Sequence, residues 1–418
     1  MARIRIINFG CSSNLAESEM MAGLLKSSNH ELVDNEEDIA IVNACSVKGP
    51  SVRKWLKEVE KNKNVIVTGC ITPSSMNSIP ETNARASIVS THNIKQIADV
   101  VELVMEGNQV ELTELKKDNK VTLPKVRRNP LIEIIPVCNG CQFNCTYCAT
   151  KLVKGDLYSY PPEEIIARAK KSIEDGCKQI WITSQDTGAY GLDINTNFPE
   201  LLRQLLSLEG DFKVRVGMTN PNHVYRDMKK LIELYKHPNM FKFLHIPVQS
   251  GSDKVLKDMK RPYNINQYYS VVENFRREIP EITIATDIIV GFPGETEEDF
   301  SQSMELLRKT KPEVLNLSKY WKMEGTKAAK MEQLPGELRT SRTTRMFALF
   351  NSLALETNRK WIGKEFSITI DDIGKNDTFV GRNDSYRPVI INGNHKIGDN
   401  LKVRITNVTN WDLRATCL

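Results

Sequence analysis

Hydrophobic and polar positions divide the chain into three stretches with different rhythms. Up to residue 113, short β-branched apolar runs at 4–8, 39–43 and 65–68 alternate with segments of helical period such as 17–26 and 52–61. Strands interleaved with helices predict a parallel sheet. Six further apolar runs, at 131–137, 179–183, 213–217, 241–247, 282–290 and 314–320, are separated by helical patterns such as 162–175 and 296–309. Six β/α units are too few to close an eight-stranded barrel, so a partial, open barrel is expected. After a helical stretch at 336–360, the runs 366–370, 379–381, 389–391 and 401–407 are punctuated by Gly, Asn and Asp with no helix between them. They predict a small all-β barrel, which serves either nucleic-acid binding or a structural cap. The expected fold is α/β: an N-terminal parallel α/β domain over 1–113, a linker over 114–130, a partial (β/α)6 barrel over 131–355 and a β-barrel over 360–418.

Composition adds little to this outline. A chain of 418 residues calls for two or three domains, and 40% hydrophobic with 26% charged residues describes a folded protein, not a disordered or fibrous one. No apolar run approaches the roughly 18–20 residues that span a bilayer. The N-terminus alternates like a strand and lacks a secretory apolar core. A cytoplasmic location without a membrane partner is expected. The net charge of +5 permits a polyanionic partner without requiring one. The linker, with Lys116, Lys117, Lys120, Lys125, Arg127 and Arg128, is a lesser candidate for such contact.

The cysteines carry the chemistry. Nine are too few for a disulfide scaffold in a chain of this length, and seven of them fall in two groups, 11, 45 and 70 and, counting Cys138, 138, 141, 145 and 148. Cys141, Cys145 and Cys148 lie just past the first strand of the central unit. Three thiolates so close in sequence suit an iron–sulfur cluster, each reaching a different iron and leaving one iron open. Zinc with Cys138 as a fourth ligand, or a ferredoxin-type carrier, are the alternatives. The gap between the two CxxC pairs is short for a zinc module, and the C-x3-C step differs from ferredoxin spacing. Cys11, Cys45 and Cys70 each follow one of the three N-terminal strands, and a parallel sheet gathers its ligands at that edge. Gly10 and Gly69 would let the backbone turn tightly there. The plain alternative is three buried structural cysteines, although core cysteines would tend to lie within strands and not just past their ends.

The CxxxCxxC segment after the first barrel strand, with Tyr147 before its last cysteine, resembles the signature of the radical S-adenosylmethionine (SAM) enzymes. The resemblance implies a [4Fe-4S] cluster whose open iron chelates SAM and whose electron cleaves it to a 5′-deoxyadenosyl radical. It draws attention to Ser184, Gln185 and Asp186 after the second strand, Gln249 and Ser250 after the fourth, and Ile289, Gly291 and Glu295 at and after the end of the fifth, as candidate SAM contacts. Two three-cysteine sets in this order, followed by a small β-barrel, resemble the methylthiotransferase family over nearly the whole chain, the barrel being of TRAM type. Cys148-Ala-Thr-Lys-Leu-Val-Lys-Gly155, Ser159-Tyr160-Pro161, Arg215-Val-Gly-Met-Thr-Asn-Pro221 and Asp258-Met259-Lys260-Arg261-Pro262-Tyr263 are similar to its archaeal and eukaryotic branch. That branch acts on N6-threonylcarbamoyladenosine at tRNA position 37, beside the anticodon.

The resemblance implies two [4Fe-4S] clusters, one on Cys11, Cys45 and Cys70 and one on Cys141, Cys145 and Cys148. One SAM would donate its methyl to a sulfur on the first cluster. A second SAM would be cleaved at the other cluster, and the methylthio group would join C2 of the adenine. A tRNA anticodon stem-loop, an external electron donor and a sulfur donor are the implied partners. No catalytic side chain is assigned beyond the clusters. Lys154-Gly155 stands where the family usually has Arg-Gly, and a lysine keeps the charge but loses bidentate geometry. In the last domain, Arg382, Tyr386, Arg387, Lys402 and Arg404, with Lys396, Trp411 and Arg414, mix basic and aromatic side chains as RNA contact requires. Surface or core roles are the plain alternative for these. A methylthiotransferase acting on a ribosomal-protein aspartate, or a non-catalytic iron–sulfur or zinc RNA-binding protein, are the competing functions.

Overall fold

The β-branched runs near the N-terminus become strands of a parallel sheet. In the computed structural model, which describes residues 1–46 and 49–418, Arg3–Asn8, Ile39–Cys45 and Val65–Cys70 form the centre of six parallel strands. Every residue of Ile39–Cys45 and Val65–Cys70 is buried, as strands covered on both faces must be. Ser12–Ser27 and Ile97–Met105 pack Met20, Met21, Leu25, Ile97 and Val101 on one face. Gly49–Lys61 and Pro73–Thr82 pack Trp55, Val59 and Ile79 on the other. The sheet also has Glu31–Leu32, Ser87–Val89 and Glu111–Leu112, which the sequence pattern did not reveal because strands of two or three residues carry no period.

The central unit is the expected open arc. Ile132–Pro136, Gln179–Thr183, Lys213–Val216, Phe243–His245, Thr283–Val290 and Val314–Lys319 are all parallel, in two three-stranded sheets. A bridge between Val214 and Met240, and the Thr219 N–H donating to the His245 carbonyl at 2.9 Å, join the two sheets. Alternation along the strands sends Ile180, Ile182, Val214 and Val216 to the surrounding helices, where they meet Leu201, Leu202 and Leu205. Trp181, Arg215 and Phe243 lie on the other face, inside the arc.

The C-terminal unit closes completely. Glu365–Ile373, Phe379–Arg382, Pro388–Ile391, Asn400–Val408 and Leu413–Cys417 form a five-stranded barrel, reached through the helix Gly336–Arg359. Its last strand, Leu-Arg-Ala-Thr-Cys, is too short and polar to stand out in the sequence. Trp411 sits 5.9 Å from both Phe347 and Phe350, tying the barrel to that helix.

The linker is not a loose tether, and only Lys116, Lys117 and Arg128 of its six basic residues are exposed, which narrows its reading as an RNA candidate to those three. Lys120 is buried against Glu17 at 2.8 Å. Lys125 is buried between Glu133 at 2.8 Å and Glu19 at 3.4 Å. Arg127 reaches Glu133 and Asp175. Lys120, Lys125 and Arg127 therefore form a seam that fastens the first domain to the second. Among the described residues no helix is long and apolar enough to cross a membrane.

Candidate functional site

The first cysteine set gathers at one edge of the N-terminal sheet. Cys45 and Cys70 are the last residues of adjacent strands and stand in register with each other. They thus end their strands instead of following them, a one- or two-residue correction to the sequence reading. Cys11 is the N-cap of Ser12–Ser27. The Cys11 and Cys70 sulfurs both reach the Asn14 Oδ1, at 3.5 and 3.8 Å, so one amide gathers two thiols. Asn14 is itself fixed. Its Nδ2 donates to the Asn43 Oδ1 at 2.9 Å and the Ala44 carbonyl at 3.1 Å, while the Asn43 Nδ2 donates to the Asn14 carbonyl at 2.7 Å. No motif in the sequence marked this brace, because the complete burial of Asn14 and Asn43 arises only in the fold. The glycines meet the expectation. A Cβ on Gly10 would lie 2.2 Å from the Asn14 Cγ, and Gly69 has φ +96° with no room for a Cβ beside Asn43.

The second set lies at the mouth of the open arc. The loop that carries it is held by the Cys141 N–H on the Gly155 carbonyl and the Thr146 N–H on the Met259 carbonyl, both at 3.1 Å. The Thr150 N–H points at the Cys148 sulfur at 3.4 Å. Arg261 donates to the Cys145 sulfur at 3.2 Å while its other nitrogens hold the Asn220 Oδ1 and the Tyr263 hydroxyl. Arg261 was legible only as part of a family segment; its contact with Cys145 comes from a residue 116 positions away. Cys138 is buried in the two-residue strand Cys138–Asn139, outside this trio.

All nine cysteines are free thiols. Burial pushes Cys70 and Cys141 up to about 12, so at neutral pH each keeps its proton unless a metal replaces it. Among the described residues no three His, Cys, Asp or Glu side chains are grouped so as to hold one metal ion between them. The fit to multi-iron clusters rests on two trios of thiols, each presented from loop or strand-end backbone that glycines and asparagines keep close.

One short element joins the two sets. The helix Thr150–Lys154 starts two residues after Cys148 and ends at Lys154, which is buried beside the first set. There Lys154 donates to Glu17 at 2.9 Å and Thr91 at 2.6 Å, and Lys120 shares the same Glu17 oxygen. His92 bridges the Lys116 and Val153 carbonyls alongside. Burial pulls the Lys154 pKa down, but the neighbouring Cys70 and Glu17 outweigh it and raise it overall. Burial would raise Glu17, yet the Lys120 and Lys154 ammoniums hold it down to about 2. Because the folded value lies below the ordinary 4.5, the stabilisation is full above pH 4.5 and drains away as pH falls toward about 2. Glu17→Gln leaves two buried ammoniums without their carboxylate and is expected to cost about 3–5 kcal/mol in a denaturant melt at pH 7. A melt indistinguishable from wild type would show that the seam is not structural.

The residues expected around SAM divide into two groups. Ser184, Gln185 and Asp186 follow the second strand at the mouth. The Asp186 Oδ1 accepts the Asn220 N–H at 3.0 Å and the Gly188 N–H at 3.2 Å, and burial pushes its carboxyl up to about 6. The Gln185 Oε1 and the His223 Nδ1 are buried without a hydrogen-bond partner, and the Asp186 Oδ2 and the His223 Nε2 have no partner closer than each other, at 3.5 Å. Burial lowers His223 to about 4, so its ring is neutral at pH 7. This group of unsatisfied polar atoms beside the second cysteine set fits a polar ligand such as SAM. Gln249, with φ +71°, and Gly291, with φ +77°, shape the loops at the ends of the fourth and fifth strands, and Ile289 packs partly buried below.

Ser250 and Glu295 correct the expectation. The Ser250 hydroxyl is fully buried against Ser303, and the Glu295 carboxylate is spent on the Gly291 N–H and Arg342, each at 2.8 Å. Both brace the loops from behind.

The RNA candidates divide likewise. Lys402 and Arg404 are exposed on Asn400–Val408, near Glu365. Arg382 is half-buried over the Tyr386 ring at 4.6 Å. Tyr386 and Arg387 are not on the surface. Tyr386 packs against Phe241 and Phe243, and Arg387 donates to the Glu313 carbonyl at 3.1 Å and the Asn358 Oδ1 at 2.7 Å. They dock the barrel onto the central domain, so their mixed aromatic and basic character reflects an internal interface.

The family model for the Radical SAM superfamily matches residues 135–307, that for Uncharacterized protein family UPF0004 matches 3–91, and that for the TRAM domain matches 359–418. The chain is 39% identical over 416 residues to a probable threonylcarbamoyladenosine tRNA methylthiotransferase of Pyrococcus horikoshii, covering 97% of each. A human threonylcarbamoyladenosine tRNA methylthiotransferase is 38% identical over 411 residues, which are 93% of this chain and 69% of the human one. Among solved structures, the radical S-adenosylmethionine methyltransferase TsrM of Kitasatospora setae shares the fold with a TM-score of 0.56 at 13% identity, over 76% of this chain and 72% of that one.

Proposed function

The chain belongs to the radical SAM methylthiotransferase family, and on that premise we propose that it converts N6-threonylcarbamoyladenosine beside the tRNA anticodon to its 2-methylthio derivative. Full-length relatives carry that substrate in their names. The observation that carries the reading is the five-residue helix Thr150–Lys154, which leads from the Cys141, Cys145 and Cys148 loop onto the strand Val65–Cys70, with Lys154 held by Glu17 and Thr91 of the first domain. An enzyme that joins a sulfur held at one site to a carbon activated at another needs the two sites side by side.

The radical SAM family brings a [4Fe-4S] cluster and SAM, and Cys141, Cys145 and Cys148 would hold that cluster. Cys11, Cys45 and Cys70 would hold a second, able to carry the sulfur. When bound, the cofactors supply the one-electron and group-transfer chemistry, while the protein orients and shields them. Asp186 and Gln185 offer acceptors for the SAM amino group. Arg261 places a positive charge and an N–H on the Cys145 sulfur, which complements the negative charge of a cluster held there. Lys154 does the same for the first set through its charge.

Lys402, Arg404 and Arg382 are the residues proposed to meet the anticodon stem-loop, by phosphate contact. An external reductant and a sulfur donor complete the reaction, and the cytoplasm is its proposed place. The unit boundaries at 1–113, 131–355 and 360–418, with the linker between the first two, are the proposed domain limits.

The test is nucleoside mass spectrometry. Anaerobically reconstituted, reduced full-length protein, given SAM, a sulfide source and tRNA bearing N6-threonylcarbamoyladenosine, should yield the 2-methylthio nucleoside. SAM cleavage with the tRNA left unchanged would contradict the substrate, and modification of a ribosomal-protein aspartate would replace it.

A further inference from the structure

Arg215 is a half-buried cation without an anion. Its guanidinium lies 5.3 Å from the Trp181 ring, 5.2 Å from Phe243 and 5.4 Å from Tyr386, inside the open arc of strands. Among the described residues it forms no ion pair, and its buried Nε has no hydrogen-bond partner. The other buried arginines behave differently. Arg342 pairs with Glu295, Arg387 donates to Asn358 and the Glu313 carbonyl, and Arg261 donates to Asn220 and Cys145. Ring faces return only part of the hydration that a guanidinium loses, so the planar donor fork of Arg215 is left seeking an acceptor.

The surroundings narrow what that acceptor is. Two residues past Phe243, toward the mouth, the His245 Nε2 lies 2.9 Å from the Asp287 Oδ1, and the Asn316 Nδ2 donates to the same oxygen at 2.7 Å. A group entering from the mouth therefore meets a polar ring suited to hydroxyl and ureido groups, and then a caged guanidinium suited to a carboxylate. An N6-threonylcarbamoyl substituent carries a ureido group, a hydroxyl and a carboxylate.

We propose that Arg215 is the specificity-determining residue that binds the carboxylate of the substrate's N6-threonylcarbamoyl group. The inference rests on the substrate reading above and adds the residue that distinguishes this adenosine from an unmodified one. The rival role is a purely structural bracket, in which Arg215 only ties Tyr386 of the β-barrel to the central strands.

The experiment measures equilibrium binding of fluorescent anticodon stem-loops to reconstituted full-length protein. Three loops are compared, bearing N6-threonylcarbamoyladenosine, its carboxyl methyl ester, or plain adenosine. Wild type should prefer the free carboxylate over both others by about 10- to 100-fold, the range of charge-assisted hydrogen bonds. Arg215→Gln should reduce that preference to within about 2-fold while binding the plain loop as wild type does, and Arg215→Lys should fall between, since it keeps charge but loses the fork. The ester arm needs no variant, so it decides the matter even where Arg215→Gln folds poorly.

Equal binding of acid and ester by wild type overturns the proposal, as does a preference that survives Arg215→Gln. A loss of equal size on all three loops points to phosphate contact or to the structural bracket, and also overturns it. Each of these outcomes leaves the function standing wherever mass spectrometry still finds the 2-methylthio product. Absence of that product from wild type is the separate failure of the substrate reading.

Discussion

Cys145→Ala is expected to abolish both 5′-deoxyadenosine formation from SAM and methylthiolation of tRNA. Cys145 is the middle member of its trio, and the Arg261 N–H is aimed at its sulfur. Removing that sulfur leaves Cys141 and Cys148 as the only cysteines of the loop and leaves a buried guanidinium facing a methyl group. The double loss is what separates a ligand from a positioning residue. A variant in which Arg261 is replaced and the trio is intact should keep its iron and retain residual cleavage, because outer contacts typically change metal affinity or activity by about 10- to 100-fold. Product and deoxyadenosine quantified together after single-turnover reduction check this. Cleavage at the wild-type rate in Cys145→Ala would place the SAM chemistry elsewhere.

Cys45→Ala is expected to separate the two halves of the reaction. The 2-methylthio product should disappear while reductive cleavage of SAM continues without it, because Cys45 ends a strand of the N-terminal sheet and is not one of the three thiols of the second loop. Its in-register neighbour Cys70 and the N-cap residue Cys11 remain, but two thiols no longer enclose a cluster with one open iron. Fold damage is the rival explanation, and it is readable. Cys45 ends a strand that is buried along its whole length, so a methyl in place of the thiol should cost only about 1 kcal/mol in a denaturant melt. Normal tRNA modification by Cys45→Ala would show that the first set is not needed.

Much of this site was legible in the sequence because chemistry and topology pointed the same way. Cysteines two or three residues past β-branched runs belong at the edge of a parallel sheet, and the strands at 3–8, 39–45 and 65–70 place them there. Six β/α repeats likewise announced an open arc. What stayed hidden depended on long-range partners. Lys154 read as a departure from a family pattern, yet it ends the helix that follows Cys148 and is buried there, fixed by Glu17 from 137 positions away. Lys120 and Lys125 read as part of a charged surface because the carboxylates that bury them, Glu17, Glu19 and Glu133, lie in other elements.

Tyr386 and Arg387 show the same limit in the opposite direction. Basic and aromatic residues suit RNA, but they suit a buried domain interface as well, and only the packing of Phe241, Phe243 and Asn358 decides between them. Glu295 was placed near the cofactor by its position after the fifth strand. Its actual partner, Arg342, arrives from a helix 47 residues later. Asn14 carried no motif at all, although it is the residue that ties Cys11 and Cys70 together.

Metal content tests the central claim most directly. Iron and acid-labile sulfide should be counted in anaerobically reconstituted wild type and in the Cys45→Ala and Cys145→Ala variants. Two four-iron clusters predict roughly eight irons and eight sulfides per chain in wild type and roughly four of each in either variant. Roughly four irons in wild type, unchanged by Cys45→Ala, would contradict the account, because the N-terminal thiols would then hold no cluster.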